Sequence, residues 1–85
     1  LKHKAHPDFW FHYRQLAPEV RALADKNFTL LKTNPRHSSL QLKKVGADVY
    51  SARVGLEHRA LAFETGGHFV WFWIGPHDEY DRLIS

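Results

Sequence analysis

Five side chains in the C-terminal half, Lys43, Lys44, Arg53, Arg59 and His77, are of the types that cleave RNA without a metal, and Tyr80, Asp78, Glu57 and Glu64 stand by as auxiliaries. Such cleavage removes a proton from the 2′-hydroxyl, stabilises extra negative charge on the phosphorane with Arg or Lys, and protonates the departing 5′-oxygen. DNA lacks the 2′-hydroxyl and is spared by the same machinery. Alternation along His58 to Glu64 puts Arg59 on the face of Leu61 and Phe63, so its guanidinium needs a cleft or a partner, Glu57 being the nearest structural alternative. His77 follows the Gly75-Pro76 break, where a side chain projects from a rigid strand end into solvent. Beside it Asp78, Glu79 and Asp81 favour the imidazolium, which suits a general acid better than a base. The same acidic cluster opposes an RNA strand.

Other chemistries lack their residues. Seven histidines are present, but none has a spacing that selects a metal, and with no cysteine there is no thiolate site, disulfide or thiol nucleophile. No Gly-rich phosphate loop precedes a helix carrying Lys-Ser/Thr, and no serine sits in a nucleophile elbow. The sequence therefore calls for no metal and no small-molecule cofactor. The absence of cysteine fits a reducing compartment, and the expected location is the cytoplasm. The longest apolar run, Phe69 to Ile74, falls far short of the roughly 20 residues that span a bilayer, and no signal-peptide pattern opens the chain.

Charge is unevenly spread. The net charge is +3, yet Lys32 to Arg59 alone holds six basic residues against two acidic ones, a local +4 that leaves the remainder at −1. A concentrated cationic field of this kind attracts phosphate backbones or an acidic protein.

Eighty-five residues with 44% hydrophobic and 14% aromatic side chains suffice for one small domain over 1–85, marginal in stability because much of its surface stays wet. Leu1 to His6 have the makings of a short edge strand. Pro7 and Asp8 start a helix that reaches about Leu16, and Pro18 starts a second that presents Val20, Leu23, Ala24, Phe28 and Leu31 on one face. Pro35 stops it near Thr33. Periodicity then changes to two: Leu40 to Lys43, Val49 to Val54, His58 to Glu64 and Phe69 to Ile74 read as strands, with turns at Gly46 to Asp48, Gly55 to Glu57 and Thr65-Gly66-Gly67. Asp78 to Ile84 suit a final helical turn. The order specifies an α+β fold, a small antiparallel sheet with two N-terminal helices packed on one face, and excludes a parallel doubly wound one. The last strand is apolar at all six positions, so its second face also needs cover, from a chain terminus, a partner segment or a second copy.

Asn34-Pro35-Arg36-His37, Leu42-Lys43, the run Tyr50-Ser51-Ala52-Arg53-Val54, then Glu57-His58-Arg59-Ala60-Leu61-Ala62 and Ile74-Gly75-Pro76-His77-Asp78-Glu79-Tyr80 together resemble the RelE/ParE superfamily of toxins from type II toxin–antitoxin systems. The resemblance covers nearly the whole chain and implies a RelE-like fold whose concave sheet face holds the active site. It implies a small toxin neutralised by a cognate antitoxin: RelE-type members cut messenger RNA in the ribosomal A site, ParE-type members inhibit DNA gyrase without catalysis, and a degenerate member would mainly bind its antitoxin. By position, Arg59 would stabilise the phosphate, His77 would act as general acid or base, and Lys43 and Arg53 would hold the RNA backbone or its transition state. Lys44 and Arg36 would add RNA contacts. Tyr80 matches a tyrosine that nuclease members stack near the histidine, though it lies three residues on. Leu40 stands where several members carry a glutamate base, which leaves proton transfer to His77 alone, tuned by Asp78 or Glu79, or to Lys44 as base, or leaves the branch without nuclease activity.

Overall fold

The computed structural model describes residues 2–85. Strand β1 (Lys2–Ala5) leads into helix α1 (Pro7–Arg14) and helix α2 (Pro18–Thr33), followed by β2 (Lys43–Gly46), β3 (Val49–Val54), β4 (His58–Thr65), β5 (His68–Pro76) and helix α3 (His77–Ile84). Each of the first two helices begins on a proline whose missing N–H would have had no intrahelical partner. In α1 the His6 Nδ1 accepts the Asp8 backbone N–H at 3.0 Å, an N-cap supplied by an imidazole. Helix α1 ends at Arg14, two residues before the expected Leu16. Helix α2 ends at Thr33 as the Pro35 argument requires, with Asn34 turned out of helical geometry at φ −149° and ψ 76°.

The strands form one sheet in the order β1-β5-β4-β3-β2. The pairs β2/β3, β3/β4 and β4/β5 are antiparallel hairpins, whereas β1 runs parallel to β5, so the sheet is mixed rather than wholly antiparallel. The β4–β5 hairpin turns on Gly66 and Gly67, both at positive φ (+56° and +78°), which only glycine adopts freely. Two strand limits differ from the sequence reading. Leu40 and Leu42 precede β2 rather than alternating within it, since Gln41 sits at φ +42° and breaks the extended run. Gly75 and Pro76 do not end β5; they pair with Arg59 and His58 as its last residues.

Helices α1 and α2 cover one face of the sheet, over a core that includes Leu16, Ala24, Leu31, Leu40, Ala52, Val54, Ala60, Ala62, Phe69, Trp71 and Ile74. Alternation sends Arg59, Leu61 and Phe63 to the other face. There a bulge between Leu61 and Ala62 leaves Phe72 without a partner across the ladder, and both Phe72 and Trp73 fall on this second face. The C-terminal helix answers the need for cover: Tyr80 of α3 packs with Leu61 and Trp73 in a separate small cluster. No helix among the described residues is long and apolar enough to cross a membrane.

Candidate active site

Two rows of cross-strand neighbours build the part of the second face that carries charge. Arg53 lies directly opposite Arg59, which lies opposite Gly75. The next row runs Lys43, Ser51, Leu61, Trp73. Like charges facing each other across a ladder are destabilising, so the Arg53/Arg59 pair works against the fold. It persists without compensation: among the described residues no Lys or Arg forms an ion pair with a carboxylate, the close basic–acidic contacts being histidine–aspartate ones, His6 with Asp8 and His77 with Asp81.

Arg59 is only 3% exposed. Its Nε–H donates to Ser51 Oγ at 2.6 Å and an Nη2–H to the Gln41 carbonyl at 3.1 Å, and the guanidinium carbon lies 5.1 Å from the centre of the Tyr80 ring. All three partners are neutral, and Glu57 is not among them. Burial pushes the Arg59 guanidinium below its ordinary value, the adjacent Tyr80 phenol opposes that shift and Arg53 reinforces it. A guanidinium nonetheless stays cationic at neutral pH. Tyr80 is 2% exposed, and its hydroxyl is buried with no hydrogen-bond partner in the protein.

His77 opens α3 at the end of β5, anchored by its backbone N–H to the Glu57 carbonyl at 2.7 Å. Its ring meets the Tyr80 ring edge-on at 5.5 Å between centroids, and its Nδ1 lies 3.1 Å from Asp81 Oδ2. Nε2 is then the ring nitrogen available to a ligand. The carboxylate engaging His77 is thus Asp81, one helical turn on, rather than Asp78 or Glu79; Asp78 Oδ1 instead accepts the Glu79 backbone N–H at the start of α3.

The structure brings together Arg59, Arg53, Lys43, Tyr80 and His77 on the second face and at its α3 edge. Arg53 is partly tied down, its Nε–H donating to the Gly55 carbonyl at 2.9 Å. Lys43 is exposed one row from Arg59. Lys44 and Arg36 lie elsewhere. Lys44 pairs with Tyr50, whose ring belongs to the helix side, and Arg36 borders a groove there with Lys32 and Leu42. Leu40, the site of the missing glutamate, is 1% exposed within the helix-side core, so the position faces away from Arg59. Sequence reasoning missed Ser51 and the Gln41 carbonyl. Ser51 alternates with Arg53 on the same face, a signal that was readable; the carbonyl depends on the left-handed kink at Gln41, which sequence does not disclose.

No family model matches this sequence, and no curated protein matches it closely enough to count as a relative. Solved structures do match. YafQ from E. coli strain BL21(DE3) superposes with a TM-score of 0.74 at 12% identity, covering 93% of this chain and 96% of that one. A YoeB/ParE toxin from Agrobacterium tumefaciens matches at 0.65 and 16% identity over 91% and 99% of the two chains. The intact E. coli RelBE toxin–antitoxin complex matches at 0.63 and 16% identity over 87% and 93%. The fold is that of the RelE/ParE-type toxins, as the sequence resemblance implied.

Proposed function

We propose that this chain is the toxin of a type II toxin–antitoxin pair and an endoribonuclease that cuts messenger RNA on the ribosome, in the cytoplasm, without a metal. The observation that carries the reading is Arg59: a buried cation facing a second arginine, held only by neutral groups, with a carboxylate-oriented histidine at the edge of the same face. A desolvated charge without a counter-ion is costly, and an anion is the ligand that repays it.

In this mechanism Arg59 stabilises the charge that builds on the phosphorane, while Arg53 and Lys43 hold the flanking backbone. The 2′-oxygen bonds to phosphorus and the bond to the 5′-oxygen breaks. His77, its ring set by Asp81 through Nδ1, delivers the proton from Nε2 to that leaving oxygen, and the 2′-hydroxyl proton passes to solvent. Tyr80, between His77 and Arg59, closes the site. Its buried hydroxyl and its place over the guanidinium require α3 to shift before a phosphate can reach Arg59.

An antitoxin partner fits the opposite face. Helices α1 and α2 leave a cleft of about 280 Å³ lined by Phe9, Trp10, Tyr13, Phe28, Leu31 and Trp71, spanned by a hydrogen bond from the Tyr13 hydroxyl to Asp25 at 2.8 Å. Apolar anchors from a partner fill such a cleft. The RelBE neighbour is itself a toxin–antitoxin complex.

Inducing the protein in a bacterial host and mapping messenger RNA 5′ ends tests the reading. Codon-phased cleavage is expected, lost with Arg59→Ala and with His77→Ala. Toxicity unchanged in both variants, or inhibition of supercoiling without RNA fragments, refutes it and favours a non-catalytic gyrase inhibitor; harmless expression marks a chain that only binds its antitoxin.

A further inference from the structure

Four residues beyond Arg59 on the same face of β4, Phe63 stacks on Phe72 of β5 with ring centroids 4.4 Å apart and planes 21° from parallel. Phe63 is 47% exposed although it stands on a sheet face beside Val49 and Val70, its direct cross-strand neighbours. Helix α3 covers Leu61 and Trp73 and leaves this end of the face open. The bulge that places Phe72 and Trp73 on one side supplies the second ring, so the pair is built by the backbone rather than left over from core packing.

We propose that the Phe63–Phe72 pair is a stacking platform for one unpaired base of the RNA strand whose phosphate Arg59 holds. The inference rests on the nuclease reading of Arg59 and extends it to how the substrate is gripped. At about 3.3 Å per strand residue the platform lies roughly 13 Å from Arg59 along β4, within reach of a neighbouring nucleotide. The one row between them is Lys43, Ser51, Leu61 and Trp73, so no carboxylate of the strands interrupts the path from cation to ring once α3 has shifted. Exposed aromatic rings on an antiparallel sheet next to cations are what single-stranded RNA uses for affinity without strict sequence readout. One exposed ring face matches the flat face of a single base, whereas a stable protein interface takes about 20–30 residues a side.

Equilibrium binding of a short fluorescein-labelled oligouridylate to the protein, in a His77→Ala background that prevents cleavage, tests this. Phe63→Ala is expected to weaken binding about tenfold, with Phe63→Trp restoring it and Phe63→Leu not, because only a flat ring stacks. The slope of affinity against salt should stay constant in Phe63→Ala and fall in Lys43→Ala, which separates base from phosphate contacts. Equal binding by Phe63 and Phe63→Ala proteins overturns the platform alone, as does full rescue by Phe63→Leu. Failure of the His77→Ala protein to bind the oligouridylate at any salt concentration overturns the platform, while the nuclease reading stands or falls on the codon-phased cleavage. A dimer in sedimentation that Phe63→Ala dissociates also overturns the platform, making the pair a contact between copies.

Discussion

Arg59 decides how its neighbours are read, because its environment suits function better than stability. A guanidinium with Ser51 Oγ, a carbonyl and an aromatic face for company has its donors partly satisfied and its charge unmet. Arg59→Met keeps the bulk and removes the charge. Since a buried charge with no counter-ion costs desolvation that an apolar side chain of similar size does not, its urea midpoint should match or exceed the parent's, offset only by the unpaired Ser51 hydroxyl. Cleavage should disappear in the same variant. A loss of about 3–5 kcal/mol in stability, the cost of breaking a true buried pair, would instead make Arg59 structural. The face of Arg59 was legible in the sequence, since alternation with Leu61 and Phe63 fixed it. Its isolation from Glu57 was not, because the turn at Gly55, φ +64°, directs the Glu57 carbonyl to His77 while strand pairing brings Ser51 to Arg59.

At the level of elements, α3 has two tasks. It covers Leu61 and Trp73 in the middle of the second face through Tyr80, and by the same contact it roofs the Arg59 guanidinium. The sequence demanded a cover for the apolar strand and named a terminus among the candidates; that the cover would be the segment holding His77 follows only once β5 runs on through Pro76. Tyr80→Ala should unroof Arg59, which an arginine-selective dicarbonyl followed by peptide mass mapping reads as faster modification at that residue. The same variant should lose about 3 kcal/mol of stability, within the range for deleting a buried aromatic ring. Arg59 that reacts as quickly in the parent as an exposed arginine would show that α3 does not gate it. Lys44 illustrates what element limits cost a sequence reading: the strand begins at Lys43, and one step along a pleat moves a cation to the other face.

At the scale of the whole molecule, the parallel pairing of β1 with β5 joins the first described strand to the last. Order of elements cannot disclose it, because β1 is too short and too polar to show a preferred neighbour; its place follows from α1 having to cross the sheet. His3 secures the join. Its Nδ1 accepts the Trp71 Nε1–H at 3.1 Å, and its ring lies 5.9 Å from Phe28 of α2 and 5.6 Å from Phe69. Burial holds the imidazole below its ordinary value, and Lys32 adds to the effect. The unfolded chain therefore takes up a proton near the usual pKa of about 6.5 while the folded protein does not until lower pH. Stability is retained above that point and falls as the solution is acidified through it. Urea midpoints compared on either side of this range should drop on acidification in the parent, and His3→Gln should flatten the drop; identical slopes would remove His3 as the cause.

The position of β5 inside the sheet also sets a timetable. As the chain leaves the ribosome, α1, α2 and the β2–β3–β4 meander are available first, but β1 has no neighbour until residues 68–76 arrive between it and β4. His77 and Tyr80 emerge later still. Such sequence-distant pairing is the slow kind. The histidine and the roofing tyrosine are thus supplied only after every strand has been translated, and the second face is the last part of the molecule to be completed.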